Sequence, residues 1–149
     1  MNRAPCLRTL IVLTLTLATP GAHADMTTEW VAIATNSTQR AQQAPEAAAP
    51  SLRTVQEAVA AAAAAARNRH NIGNESSTAA AERHDAAVAV AAFAVLEHLY
   101  PDQRDSLEAR LAVSFSRIPE SAAKADGAVI GREVANKMLA AGEVAARNR

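Results

Sequence analysis

Apolar residues recur along this chain at the three- and four-residue spacing of amphipathic helices, and no segment alternates polar and β-branched residues as a half-buried strand does. Polar or proline-containing breaks divide the pattern into five helical segments. The first is predicted to start near Glu29, capped by Thr27 or Thr28, and to run towards Gln43. We therefore expect an all-α fold, with about five helices in an alanine-rich bundle.

Two proline-containing or polar stretches delimit the second segment. The prolines of "APEAAAP" (44–50) predict a break, after which Ser51 caps a helix that continues into seven alanines, 60–66. Alanine is the strongest helix former, and a smooth alanine face allows a close helix neighbour. The stretch 67–77 is predicted to be a polar loop. The apolar stripe of this helix is Leu52, Val55 and Val59.

The third segment, from about Ser77 to Tyr100, is apolar around more than half of its circumference. Such a pattern is typical of a helix that is buried on several sides. We expect it to be the central helix of the bundle. The residues that carry the pattern include Val88, Phe93, Val95, Leu96, Leu99 and Tyr100.

The last two helices are predicted from Asp102 to about Ser116 and from Ser121 to about Val144, separated by "RIPES". The core-facing stripe of the fourth is Leu107, Leu111, Phe115 and Ile118. The fifth has a seam of small residues, Gly127, Gly131 and Ala135, beside Ile130, Val134 and Met138. A mid-helix glycine costs about 1 kcal/mol relative to alanine, so this seam predicts a very close neighbouring helix.

Composition predicts a thin core. The chain has 149 residues, enough for one domain, and 50% of them are hydrophobic, but many of these are alanine and only 3% are aromatic. Alanine buries little apolar area, so the bundle is expected to be marginally stable or to pack against more protein.

The N-terminus is typical of a secretory signal peptide. Arg3 and Arg8 precede the apolar run "TLIVLTLTLA", and "AHA" (22–24) matches the small-residue cleavage pattern. We expect cleavage after Ala24, which divides the chain into a signal peptide, 1–24, and one helical domain, 25–149, in the periplasm or outside the cell. An uncleaved anchor is the alternative, although the run is short for a stable membrane span.

Cleavage changes the charge and removes the cysteine. The full chain has 15 basic and 15 acidic residues; the mature chain keeps 13 and 15, a net charge of −2. This balance argues against a nucleic-acid or anionic-membrane partner. The single cysteine, Cys6, leaves with the signal peptide, so no disulfide, thiol nucleophile or cysteine metal site is expected.

The histidines are the first candidates for chemistry. His84 and Asp85 are adjacent, and neighbouring side chains on a helix are not expected to face each other as a catalytic pair. His84 and His98 would be about 21 Å apart on one helix, too far for a shared metal. His70 is interpreted as a solvated loop residue, and His98 as a cation near a helix C-terminus.

No other pattern predicts a site. Trp30 and Tyr100 are interpreted as packing anchors, and the five glycines form no phosphate loop. The sequence therefore assigns no catalytic, cofactor-binding or metal-binding residue.

Several phrases follow one another along the chain: "LEHLYPD" (96–102), the spaced leucines of 107–115, Ile118-Pro119, and Gly127 to Gly131, with Trp30 and "RTVQEAV" (53–59) upstream. In this order they resemble the N-terminal helical region of bacterial vanadium-dependent haloperoxidases and of the type 2 phosphatidic acid phosphatase superfamily. The resemblance implies half of a larger helical architecture. Its anion-binding half, with Arg-Pro and Ser-Gly-His phrases, has no counterpart here, and Lys124 and Lys137 lack that context.

Two functions are carried forward. The first is a secreted helical scaffold that is inactive alone, binding vanadate or phosphate only if a missing C-terminal half is supplied, with that half or a second copy as partner. The alternative is a self-standing periplasmic helical module for protein binding or dimerisation. An enzyme with an unrecognised site is a third interpretation, so enzymatic activity stays open.

Overall fold

A computed structural model describes residues 25–73 and 76–148, which form five α-helices and no β-strand. The all-α prediction is confirmed for these residues, and the predicted signal peptide, 1–24, lies outside them. A 3₁₀ helix, Pro101–Gln103, connects α3 to α4. The helices are α1 (Met26–Arg40), α2 (Pro45–Gly73), α3 (Ser77–Leu99), α4 (Arg104–Ser116) and α5 (Ala122–Arg147).

Helix α3 is the centre of the bundle, as its apolar circumference predicts. It contacts the other four α-helices, and every residue from 86 to 96 is buried. Ser76 is the N-cap residue of the helix, and its hydroxyl accepts a hydrogen bond from the Ala79 amide at 3.2 Å. It ends before the buried Tyr100, whose hydroxyl donates to Gln43 Oε1 at 2.9 Å and so connects the end of α3 to the α1–α2 loop.

The predicted apolar stripes face the core. Val55 and Val59 of α2 and Leu107 of α4 are buried, and Ile118 closes the core beyond the end of α4. The polyalanine part of α2 gives α3 and α5 a flat surface to approach. The resulting alanine layer contains Ala62, Ala66, Ala87 and Ala91, with Ile130 and Val134 packed against it.

The glycine seam of α5 is filled by α3 of the same chain. A Cβ atom at Gly127 would lie 2.3 Å from the carbonyl oxygen of Arg83, and one at Gly131 would lie 2.4 Å from that of Ala87. Both distances are far below ordinary contact, so the two backbones can approach this closely only because the side chains are absent. The close neighbour that the seam predicts is therefore inside the chain, and the seam is not left open for another half or a second copy.

Helix α2 is longer at both ends than predicted. It begins at Pro45 rather than at Ser51. Proline has no amide hydrogen, but an amide in the first helical turn has no acceptor within the helix, so Pro45 costs no helical hydrogen bond. Pro50 removes one further amide hydrogen bond near the helix start. At the other end, the stretch 67–77 was expected to be a loop but is helical as far as Gly73. Within this extension, Arg69 forms an ion pair with Asp126 of α5.

Helix α1 differs from the prediction at both ends. It starts at Met26 after the N-cap residue Asp25, so the predicted Thr27 and Thr28 caps lie inside it. It stops at Arg40, because Gln42 has the left-handed φ of 50° and its amide and that of Gln43 bond back to Gln39 and Thr38. The acid predicted near the N-terminus, Glu29, is in the first turn.

Two buried cations hold α5 in place. The Arg83 guanidinium of α3, 4% exposed, donates to Asp126 at 2.7 Å beside the glycine seam. Lys124, 7% exposed at its side chain, donates to the carbonyl oxygens of Phe115 at 2.9 Å and Ile118 at 3.1 Å. Lys124 thereby satisfies backbone groups at the C-terminal end of α4 and fixes the α4–α5 corner.

Candidate functional site

His84 and Asp85 do contact each other, contrary to the prediction from helix geometry. They lie in the second and third turns of α3, with His84 Nδ1 3.2 Å from Asp85 Oδ1. The prediction considered only the divergence of neighbouring Cβ atoms. It failed because Nδ1 lies two bonds from Cβ, close enough to the backbone for the short carboxylate of the next residue to reach it.

A third side chain joins this pair from another helix. Asp25, the N-cap residue of α1, places a carboxylate oxygen so that its ligand atom and those of His84 and Asp85 all lie within 4.8 Å of one another. Asp25 is exposed and the other two are partly buried. This cluster is not apparent from the sequence, since the packing of the start of α1 against α3 is a tertiary feature that periodicity does not encode.

The cluster lies beside an open cleft of about 400 Å³ between α1, α2 and α3. The cleft has an apolar floor from α1 and α2 and polar groups at its edge. Its ionisable lining groups are Asp25, Arg67 and His84, and the remaining lining residues are Thr27, Val31, Gln56, Val59, Ala60 and Ala63.

A second concavity runs between α1 and α4 and has a volume of about 420 Å³; we call it the α1–α4 groove. Side chains rather than an apolar interface bridge the two helices across it. Gln103 Nε2 donates to the Ser37 carbonyl oxygen at 2.9 Å, and Arg40 donates to the Ser106 hydroxyl at 3.0 Å. Its lining consists of Thr28, Glu29, Ala32, Ile33, Asn36, Ser37, Arg40, Gln103, Ser106, Leu107, Arg110 and Arg117.

The α1–α4 groove is electropositive. Arg40, Arg110 and Arg117 line it, and Glu29 is the one carboxylate in the lining. Arg117 is paired with Glu29, which also accepts from Ser114 at 3.3 Å. Arg110 is exposed and forms no hydrogen bond or ion pair within residues 25–73 and 76–148. The lining therefore has a net charge of +2, and the Arg110 guanidinium has no hydrogen-bond or ion-pair partner among the described residues.

The other residues singled out by sequence have structural positions. Trp30 and Tyr100 are buried packing residues, as predicted, and the indole Nε1 of Trp30 has no hydrogen-bond partner among the described residues. His98 is exposed in the last turn of α3. His70 belongs to the last turn of α2 rather than to a loop, and its side chain lies outside the described part of the structure.

Comparisons with known proteins assign no family. The sequence matches no protein-family model, and neither a curated protein nor a solved structure is significantly similar to it. Within the described ranges, no helix combines the length and hydropathy needed to span a bilayer.

Proposed function

We propose that the chain is a self-standing, exported helical module that binds an acidic segment of a protein partner in the α1–α4 groove. The observation that carries the proposal is the groove's charge: three guanidinium groups against one carboxylate. Guanidinium groups recognise carboxylates through paired, charge-assisted hydrogen bonds. A positive groove on a chain whose predicted mature charge is −2 also gives a local attraction for an acidic partner.

The length of the groove favours a peptide segment over a compact anion. Its lining extends from Thr28 to Arg40 on α1, about 18 Å at 1.5 Å per residue, and from Gln103 to Arg117 around α4, about 21 Å. That length corresponds to about three turns of a bound helix. The exposed Ala32 and the partly buried Ile33 supply apolar surface between the charges, so an amphipathic acidic segment would satisfy both parts of the lining.

Closure of the core supports the self-standing part of the proposal. The Gly127–Gly131 seam, the surface best suited to a missing helix, is filled by α3. The large apolar side chains left exposed in the described residues, Val113, Val129 and Val144, are separated along α4 and α5. Scattered single exposures of this kind are normal for a monomer.

The direct test uses a fluorescein-labelled amphipathic peptide of glutamate, alanine and leucine, and the same peptide with lysine in place of glutamate. The full coding sequence is expressed in an exporting host, and the purified protein is titrated by fluorescence anisotropy. We expect the glutamate peptide to bind, with an affinity that falls between about 50 and 300 mM salt, and the lysine peptide not to bind. Absence of binding, or equal binding of both peptides, would contradict the proposal.

Arg110 is the sharpest variant because it forms no hydrogen bond or ion pair within the described residues. Arg110→Gln should weaken binding about fivefold, corresponding to about 1 kcal/mol. Arg132→Gln is the matched control, since Arg132 is exposed on α5 and does not line the groove. Equal weakening by both variants would indicate nonspecific charge attraction. Self-association that Arg110→Gln abolishes would instead make a second copy the occupant.

The second candidate is the scaffold domain of a haloperoxidase- or phosphatase-like protein, half of a larger architecture that binds vanadate or phosphate only with its other half. The positions of the resembling phrases support it, since Tyr100-Pro101 ends α3 and Ile118-Pro119 lies between α4 and α5. This scaffold should be inactive alone in bromide peroxidation with added vanadate and in phosphate-ester hydrolysis. Turnover that a substitution in this chain abolishes would exclude an inactive scaffold and support an enzyme with its own site.

A further inference from the structure

We infer that Asp25, His84 and Asp85 form a binding site for one divalent transition-metal ion of the Zn²⁺ class. The donors come from two helices that are distant in sequence but adjacent in the fold: the N-cap of α1 and the N-terminal half of α3. Their ligand atoms all lie within 4.8 Å of one another. The site lies at the rim of the cleft between α1, α2 and α3, on residues separate from the lining of the α1–α4 groove.

The distances are those of a site that needs little rearrangement. With metal–ligand bonds of about 2.1 Å, neighbouring ligand atoms are about 3.4 Å apart in a tetrahedral site and about 3.0 Å apart in an octahedral one. The 3.2 Å between His84 Nδ1 and Asp85 Oδ1 already falls in this range. Because the three ligand atoms lie within 4.8 Å of one another, the third ligand, Asp25, has to move inward by at most about 1.8 Å.

Asp25 is free to make that movement. An aspartate at an N-cap ordinarily accepts a hydrogen bond from the amide two or three residues on, but the Asp25 side chain forms no such cap bond. Its carboxylate is exposed and faces the His84–Asp85 pair instead of the open end of α1. Recruiting it to a metal therefore breaks no helix-capping interaction.

The donor set selects the class of ion. One imidazole nitrogen with two carboxylates suits Zn²⁺, Co²⁺ or Cu²⁺ better than Ca²⁺ or Mg²⁺, which prefer oxygen ligands alone. Three protein ligands leave at least one coordination position for water or another ligand.

The test measures metal binding by the full chain expressed in an exporting host and purified without a histidine tag. After treatment with a chelator, Zn²⁺ is titrated by calorimetry and Co²⁺ by its visible absorption, which reports coordination geometry. We expect one ion per chain and a Zn²⁺-dependent rise in Tm, since an ion that binds only the folded state stabilises it. Absence of binding, or a Co²⁺ spectrum indistinguishable from that of the aquo ion, would overturn the inference.

Variants locate the site. His84→Ala and Asp25→Asn should each weaken Zn²⁺ binding about tenfold or more. His98 is the exposed histidine at the other end of α3, and His98→Ala should leave Zn²⁺ binding unchanged. Circular dichroism of the metal-free variants shows whether they fold, and Asp85→Asn replaces any that does not. Binding that survives His84→Ala in a folded protein, or that is lost in His98→Ala, would refute the assignment and leave His84–Asp85 as an ordinary ion pair.

Discussion

Replacing a seam glycine by alanine should separate α3 from α5. The Cβ added in Gly131→Ala would lie 2.4 Å from the Ala87 carbonyl oxygen and 3.0 Å from the Ala91 amide nitrogen. The closest ordinary carbon–oxygen contact is about 3.3 Å, so the helices must move apart by about 1 Å. The obstructing atoms belong to the backbone, which cannot turn aside as a flexible side chain can.

The magnitude follows from two opposing effects. Overpacking costs about 1–3 kcal/mol when side chains adjust, and we expect about 3–4 kcal/mol here because backbone must move and neighbouring dispersion contacts weaken. Alanine in place of glycine returns about 1 kcal/mol of helix propensity. The free energy of unfolding should therefore fall by about 2–3 kcal/mol in Gly131→Ala. At about 4 °C per kcal/mol for a domain of this size, Tm should fall by about 8–12 °C.

Gly142 provides the matched control on the same helix. A Cβ there meets nothing within 4 Å, so Gly142→Ala changes propensity without changing packing and should stabilise the protein by up to about 1 kcal/mol. Urea and thermal unfolding, followed by circular dichroism at the helical minimum, measure both variants against the parent. If Gly131→Ala were as stable as Gly142→Ala, the close α3–α5 approach would not exist in solution.

Three further experiments probe the C-terminal end of α1 and the buried charges of the bundle. Gln42→Gly should raise the free energy of unfolding by about 0.5–1 kcal/mol, because glycine adopts the left-handed φ of 50° without strain. Urea unfolding measures this change. A loss of stability would argue against the C-terminal end of α1 described above. Lys124→Met should lower the free energy of unfolding by about 1–3 kcal/mol, since two carbonyl oxygens lose their charged donor. Thermal unfolding measures the effect, and an unchanged Tm would show that the α4–α5 corner does not depend on Lys124. Asp126→Asn should cost about 2 kcal/mol by removing a charged acceptor of the buried Arg83, and Arg83→Met on the same background should recover part of that loss in a double-mutant cycle.

Local patterns predicted the helices well where a cap coincided with an apolar stripe. Ser76 and Ser121 each precede an apolar run and each accepts the capping hydrogen bond, so α3 and α5 begin within one residue of the predicted start. The predicted start of α2 was wrong, because both prolines were expected to break the helix. Pro45 takes the first helical position, where an amide has no helical acceptor, and Pro50 lies inside the helix at the loss of one hydrogen bond.

The candidate sites were beyond local patterns. Helix geometry alone predicts no contact between His84 and Asp85, and no local pattern connects Asp25 to them, because Asp25 and His84 are 59 positions apart in the sequence. The arginines of the α1–α4 groove come from two helices and the turn after α4, at spacings that match no motif. Neither set can be recognised until the packing of α1 against the other helices is known.

The sequence by itself determined the helical class, the central position of α3 and the existence of a close contact at Gly127 and Gly131. These properties follow from periodicity, from the number of apolar faces on a helix and from the cost of mid-helix glycine, all of which are local. The tertiary structure decided which helix fills the seam and which polar side chains share a cleft. Those outcomes depend on the relative placement of helices, which is set by the packing of all their faces at once.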